Sequence, residues 1–445
     1  MTLGGAELPR LATAVPGPGS RALAKRLARH ESPNITAQVP GPPIFWEAAH
    51  GAAVQDVDGN VYVDLTAGFG VAHAGHANAA VAAAIARQAG RLAHGLGDVF
   101  PPEIKVRLLE RLAAIAPGEL QVSILANSGA EAVEASLKTA ALRTGRTGVL
   151  AFQGAYHGLT YGALAVTHRP HFRQRFEPQL FRGVRFAPYP SAAGELAAAL
   201  AEVDRQLAVA ETSPWPAGAL LVEPILGRGG LVEPPPGFLP ALRARCDGVR
   251  MLLICDEVYT GCGRTGQWFA CEHTGVIPDL LVLGKALSGS LPLAAVIGTP
   301  AAMSGWPPST GEAIHTSTFL GNPVACAAAL AQLEEIETRG LLARALEVGR
   351  RIERRAAGWQ ERGLIRKRTG RGLLQGVTMR SPAAAATLCT RALQQGVILL
   401  AEGAGDVLAL TPPAVITDRQ LACALDIIEA LLPRADDPRA PERQP

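Results

Sequence analysis

The sequence predicts an α/β protein whose large domain carries a mostly parallel, doubly wound sheet, with a smaller α+β domain assembled from the N- and C-terminal segments. Three observations lead to this class. Through the middle of the chain, short apolar runs alternate with segments of helical spacing, the pattern of successive βαβ units. The runs are continuously apolar instead of alternating, as expected of strands covered on both faces. Beyond about residue 325 the character changes to two long helices, then short strands and a last helix.

Taken in order, residues 1–20 are rich in Gly, Pro and Ala and are expected to form a loose tail, as is the polar, Pro-broken segment 434–445. Residues 21–60 should supply the N-terminal part of the small domain. The stretch 53–64 reads as a hairpin with Asp58-Gly59-Asn60 at its turn. The large domain is expected over 61–325. Its strands are Val122–Ala126, Gly148–Phe152, 219–222, 251–255, Leu280–Leu283 and 294–297, and a helix over 131–142 follows the first. Helices over Pro323–Thr338 and 340–362 open the C-terminal part, which is expected over 326–433.

The chain has 445 residues, 48% of them hydrophobic, which allows two or three domains and is too apolar for disorder along its length. Only 5% are aromatic, so Ala, Leu and Val should build the core. No apolar run approaches the roughly 18–20 residues a membrane span needs, and residues 1–20 lack the basic start and apolar stretch of a secretory signal. Basic residues number 42 against 39 acidic. The basic clusters 21–29 and 350–355 alternate with apolar residues, as solvated helix faces do, so neither a nucleic acid nor a membrane is an expected partner. The seven cysteines form no CxxC and no zinc-type spacing with His. They are expected to be reduced thiols of a cytoplasmic protein, with no metal site.

In a doubly wound sheet the ligand lies beyond the carboxyl ends of the strands. Polar residues just after the apolar runs are therefore the first candidates for chemistry: Ser128-Gly129-Ala130, Tyr156-His157, Asp256 and Lys285. Ser128 with Glu131 is a capping box at a helix start, but the small Gly129 and Ala130 would also let an anion approach the same amides. Asp256 at a strand tip is either a cap or ion-pair partner, or the group that keeps the nitrogen of a buried heteroaromatic ring protonated. Lys285, after the run LLVLG, is poorly explained as a surface lysine; desolvated in a pocket, it becomes a nucleophile toward carbonyls. It follows Asp256 by about the length of one βαβ step, so both can face one ligand from nearby strands. Residues 261–266, GCGRTG, match GxGxxG, but no helix opens directly behind them, and dinucleotide binding is set aside.

As a set, these residues resemble the class III pyridoxal-phosphate-dependent aminotransferases of fold type I. The resemblance runs from about residue 40 to 425 with the motifs in family order. They are Asn127-Ser128-Gly129-Ala130-Glu131-Ala132, Gly154-Ala155-Tyr156-His157-Gly158, Glu223-Pro224 with Gly229-Gly230, Asp256-Glu257-Val258 with the 261–266 loop, Gly284-Lys285, and His315-Thr316-Ser317-Thr318-Phe319 with Gly321-Asn322-Pro323. The resemblance implies pyridoxal 5′-phosphate as cofactor, held as an imine on Lys285, which would then move a proton between the substrate Cα and the cofactor. Asp256 would pair with the pyridine nitrogen, and Glu223 would support the site from behind. Val258 would lie under one ring face and Tyr156 over the other, with His157 beside them. Ser128, Gly129 and Ala130 would hold the phosphate. Ser317 and Thr318 would reach the phosphate of a neighbouring subunit, which implies a homodimer with shared active sites. The expected reaction moves an amino group between an amine or amino acid and a keto acid or aldehyde. The alternative is a racemase, epimerase or aminomutase of the same fold.

Three positions depart from the best-known members, all of them at carboxylate recognition. The family's 4-aminobutyrate and acetylornithine enzymes typically carry Arg where this sequence has Leu159, and Glu where it has Arg228. That Glu gates an Arg near the C-terminus, whose place is taken by Ala409. With Phe69, Leu159 and Ala409 the substrate pocket should be more apolar, and 4-aminobutyrate and N-acetylornithine are expected to be poor substrates. Arg228 either supplies a different carboxylate contact or points to solvent.

Overall fold

The computed structural model describes residues 3–37, 43–249 and 251–432. The chain divides into two compact units, Met1–Asn78 with Arg344–Pro445, and Ala79–Ala343. In the first, β1 (Trp46–His50), β2 (Ala53–Asp56) and β3 (Val61–Asp64) form an antiparallel meander. The hairpin turn falls where the sequence puts it. Asp56 N donates to Asn60 O and Gly59 N to Asp56 O, both at 3.0 Å, and Gly59 takes φ +80°, which glycine adopts without steric cost.

The N-terminal segment departs from the expected loose tail. Arg10 bridges to Val61, the amides of Ala12 and Thr13 donate to Asn60 Oδ1 at 2.8 and 2.9 Å, and those of Gly19 and Ser20 reach the Asp58 carboxylate at 2.6 and 2.9 Å. Its composition reads as loose because it holds little to bury; the hairpin's side chains satisfy its backbone instead. The tail expected over 434–445 lies outside the described residues.

The second unit is built on seven strands: β4 (Val122–Ala126), β5 (Gly148–Phe152), β6 (Val184–Ala187), β7 (Ala217–Val222), β8 (Leu252–Asp256), β9 (Leu280–Leu283) and β10 (Ala294–Gly298), in the order β4-β10-β9-β8-β7-β5-β6. Strands β9, β8, β7, β5 and β6 run parallel; β10 is antiparallel to both of its neighbours, β9 and β4. Strands β5, β7, β9 and β10 are buried at every position. A continuous apolar run thus reports burial on both faces and says nothing of direction, so β10 looks like its parallel neighbours. The helix Gly129–Thr144 lies on this sheet, with Ala132, Val133, Ala135 and Ala140 in one core with Ile254, Leu280, Val282 and Val296. Small residues let helix and sheet approach closely, which accounts for the Ala-rich, aromatic-poor composition.

Back in the first unit, β13 (Val397–Ile398) adds parallel to β3, while β11 (Lys367–Arg371), β12 (Leu374–Thr378), β15 (Val407–Leu410) and β14 (Leu400–Glu402) form an antiparallel sheet in that order. The boundaries expected at 60/61 and 325/326 therefore move. Strand β3 is held between β2 and β13, and the helix Pro323–Thr338 buries Ala325, Cys326, Ala328, Leu333 and Ile336 and packs against Ala79–Arg91 of the second unit.

Candidate active site

Five strands of the central sheet end at one edge, and each delivers a polar residue there. The helix start at Ser128 follows β4, Tyr156 and His157 follow β5, Glu223 follows β7, Asp256 closes β8, and Lys285 follows β9 after Gly284. Strands β8 and β9 are adjacent and parallel, with Asp256 opposite Val282, so Asp256 and Lys285 are brought to neighbouring strand ends.

Asp256 is the fixed anion of the site. It is buried, His157 Nδ1 stands 2.7 Å from its Oδ2, and Val258 N donates to its Oδ1 at 3.0 Å. An ionised carboxylate only accepts hydrogen bonds, so the imidazole donates through Nδ1. His157 Nε2 is buried and has no hydrogen-bond partner among the described residues. Glu223 lies beside this pair, accepting from Tyr156 N at 3.0 Å and Gly227 N at 2.9 Å. Burial pushes its carboxyl up to about 7; the Asp256 charge adds to the rise, and His157 and the two amides oppose it. Tyr189 OH ties down the same loop by donating to Glu223 O and Pro224 O at 3.0 and 3.1 Å.

Lys285 takes φ +43°, an uncommon backbone for a residue with a side chain. Its Nζ lies over the Tyr259 ring, 4.0 Å from the centroid. Val258 fills the space between two glycines: a Cβ on Gly129 would stand 3.1 Å from Val258 methyl carbons, and one on Gly284 3.3 Å. The helix Gly129–Thr144 begins as expected, with Ser128 Oγ accepting from Glu131 N at 3.2 Å. Glu131 closes the box one residue further back, on Asn127 N at 2.9 Å.

A cavity of about 520 Å³ is lined by Gly129, Ala130, Tyr156, His157, Leu159, Glu223, Arg228, Asp256, Val258 and Lys285 among the sequence-picked residues, and by Gly158, Thr160 and Tyr259. Arg228 lies with its guanidinium 4.8 Å from the Tyr156 ring centroid and 5.3 Å from that of Phe172. Ser128, Ser317 and Thr318 are exposed and do not line the cavity; Ser317 Oγ accepts from Asn127 Nδ2 at 2.9 Å. Phe69 and Ala409 belong to the other unit. Phe69, at φ +61°, is half exposed on a tight turn pinned by Asp64, which accepts from Thr66 N and Oγ1 and from Gly68 N. Ala409 is buried in β15 between Gly376 and Leu400. The motif pattern does not single out Tyr259, because an aromatic beside an apolar run reads as core, or Phe172, which lies in a polar stretch outside the motifs. The 261–266 loop is structural: buried Glu257 accepts from Ala270 N and Cys271 N at 2.8 Å and from Thr260 Oγ1, folding the loop back on β8.

A family model described as aminotransferase class-III matches residues 35–432. The chain belongs to the class III aminotransferases. An acetylornithine aminotransferase of Methanosarcina mazei is 38% identical over 387 residues, covering 87% of this chain and 91% of that one. A 4-aminobutyrate aminotransferase of Mycobacterium tuberculosis is 38% identical over a 454-residue alignment, covering 95% and 98%. Among solved structures, an (S)-enantioselective omega-transaminase from Thermomicrobium roseum matches with a TM-score of 0.86 at 26% identity, covering 93% and 98%. The class III aminotransferase is a pyridoxal-phosphate-dependent transaminase of fold type I, and the racemase, epimerase or aminomutase alternative finds no support in these relatives.

The aminotransferase's own residues fit that cofactor. They offer a lysine amine, a buried carboxylate already oriented by a histidine, and a helix start so bare of side chains that a Cβ at Gly129 would crowd Val258.

Proposed function

We propose that this aminotransferase uses Lys285 as its catalytic lysine and Asp256 as the counter-ion of the cofactor ring, on substrates whose distal end is apolar or uncharged. The observation that carries this reading is that Lys285 and the buried Asp256 line one cavity from adjacent strand ends. When bound, pyridoxal phosphate supplies an electrophilic carbon for the amino group and a protonated ring that accepts the electrons released at Cα. His157 aims the Asp256 carboxylate by donating to it. Lys285 Nζ takes the proton from substrate Cα and gives it up again. Gly129 and Ala130 offer helix N-terminal amides to the phosphate, and Val258 and Tyr156 confine the ring. Leu159, half exposed in the cavity wall, contributes no charge, whereas Arg228 lines the cavity and is the anchor for the carboxylate of the keto acid or amino acid partner.

The active sites are completed across a homodimer, with Ser128, Ser317 and Thr318 at the phosphate of the shared site. Support comes from an apolar surface around the Ser317-Thr318 segment. Ile314 is 66% exposed, Phe319 60% and Phe100 73%. Thr316 Oγ1 to Asp98 Oδ2 at 2.9 Å and Asn322 Nδ2 to Ala93 O at 3.1 Å join the two segments that carry them. Exposed apolar surface of this kind calls for a cover. No helix among the described residues is long and apolar enough to cross a membrane. The seven cysteines are free thiols, five of them buried, which supports a reducing, cytoplasmic setting.

Borohydride reduction of the yellow holoenzyme followed by peptide mapping tests the assignment. The reduced cofactor is expected on Lys285, and its recovery on another lysine ends the reading.

A further inference from the structure

We propose that the face of the Tyr259 ring seats the Lys285 ammonium, which makes Tyr259 a positioning residue for the base of transamination. The inference deepens the proposed function and rests on Lys285 being that base. Lys285 Nζ lies 4.0 Å from the ring centroid, well inside the range of about 6 Å over which a cation is drawn to an aromatic face. Tyr259 is only 8% exposed and lines the same cavity. Its ring has a fixed place. A Cβ on Gly227 would fall 2.5 Å from Tyr259 Cδ1, so glycine alone fits against the ring. Gly227 is itself held by its N–H on Glu223 Oε2 at 2.9 Å. From the other side, the left-handed backbone of Lys285 aims the amine.

The ring answers a specific need. Nζ is neutral when it takes the proton from substrate Cα, an ammonium while it carries it, and neutral again once the proton is delivered; no other bond at Nζ changes in this transfer. Loss of water around an amine disfavours its ammonium form. A carboxylate in the ring's place would raise the lysine pKa by about 1–3 units and hold the proton. A π face attracts the ammonium more weakly and leaves the proton transferable. The other titratable groups of the cavity lining are Tyr156, His157, Glu223, Arg228 and Asp256, and all remain in place when Tyr259 alone is changed.

The test reads the titration of Lys285 directly. The full chain, freed of cofactor, is trace-acetylated with acetic anhydride between about pH 7 and 11, and the Lys285 peptide is quantified against the exposed Lys25. Tyr259→Phe is expected to keep the wild-type midpoint. Tyr259→Leu is expected to lower it by roughly 0.5–1.5 pH units. If the leucine variant does not fold, mono-, di- and trifluorinated phenylalanines at 259 keep the shape and drain the ring face of electron density, and should lower the midpoint stepwise. A midpoint that ignores fluorination overturns the proposal. So does a phenylalanine variant that moves as far as leucine, because the hydroxyl would then be the cause. Borohydride labelling separates the two readings: Lys285 labelled with an unmoved midpoint removes only the role of Tyr259, whereas a wild type labelled elsewhere removes the catalytic assignment itself.

Discussion

His157 Nδ1 lies 2.7 Å from Asp256 Oδ2, with the two side chains 0% and 4% exposed. Two residues almost a hundred positions apart are joined because β5 and β8 flank β7 in one parallel sheet and all three end at the same edge. The contact fixes the direction of a carboxylate that would otherwise be costly to bury.

Asp256→Asn keeps the shape and removes the charge. The charge-assisted hydrogen bond it offers a ring nitrogen is worth about 1.5–3 kcal/mol, so kcat is expected to fall at least about 10- to 100-fold. Steady-state kinetics with a saturating amino donor, alongside a circular-dichroism check of the fold, measures this. Undiminished turnover would remove Asp256 from the chemistry.

Glu223 makes stability depend on pH in a definite direction. Its folded-state carboxyl is pushed up to about 7 from the ordinary 4.5. Between these two values the folded chain holds a proton that the unfolded chain has released. The Glu223 contribution is therefore fully present at the acid end and is lost as pH rises through the folded-state pKa, by at most about 3 kcal/mol. Urea denaturation of the cofactor-free chain and of Glu223→Gln between about pH 5 and 8 should show the wild type losing ground to the variant as pH rises. A difference that stays flat, or grows in favour of the wild type, contradicts the origin assigned to the shift.

Much of this site was legible because its chemistry sits at strand ends, where an apolar run stops and a polar residue must have a reason. Asp256 and Lys285 are such residues, and spacing alone brings them to neighbouring strands. Tyr259 was not legible, since an aromatic next to a core strand satisfies the hydrophobic pattern whether it faces core or cavity, and Phe172 was not legible because it stands alone in the polar helix Pro170–Arg173, outside every motif. Strand β6 was hidden for a related reason: its sequence VRFA places Arg185 in the run, which an edge strand tolerates and a central one does not. The segment 3–20 was misread because its order comes from Asn60 and Asp58 on the hairpin, and composition carries no trace of a partner so distant in sequence.

Shared active sites can be read by subunit mixing. Lys285→Ala removes the proposed base, and Thr318→Asp places a negative charge where a phosphate from the neighbouring site is expected. Each homodimer should have low activity. Random reassortment of equal amounts makes half of the dimers hybrids, each with one intact site of two, so activity should recover to about one quarter of wild type. A fully active monomer by sedimentation at assay concentration, or mixing with no recovery, contradicts the arrangement.

Substrate choice turns on Arg228. Its guanidinium lines the cavity and lies over the Tyr156 and Phe172 rings, and in the proposed reading it meets the substrate carboxylate. Leu159 in the cavity lining offers no charge for a second, distal carboxylate. A lost charge-assisted hydrogen bond costs about 1.5–3 kcal/mol, one to two factors of ten in specificity. 4-Aminobutyrate and N-acetylornithine are therefore expected to be poor donors beside amines and amino acids with apolar or uncharged distal ends, in a panel assayed with pyruvate and 2-oxoglutarate as acceptors. Arg228→Ala should raise KM for the carboxylate-bearing partner by about 10- to 100-fold and leave simple amines nearly unaffected. An equal loss for both kinds of substrate would make Arg228 a packing residue for Tyr156 and Phe172. Efficient turnover of 4-aminobutyrate by the wild type would overturn the substrate argument at its root, because no charge at Leu159 is available to explain it.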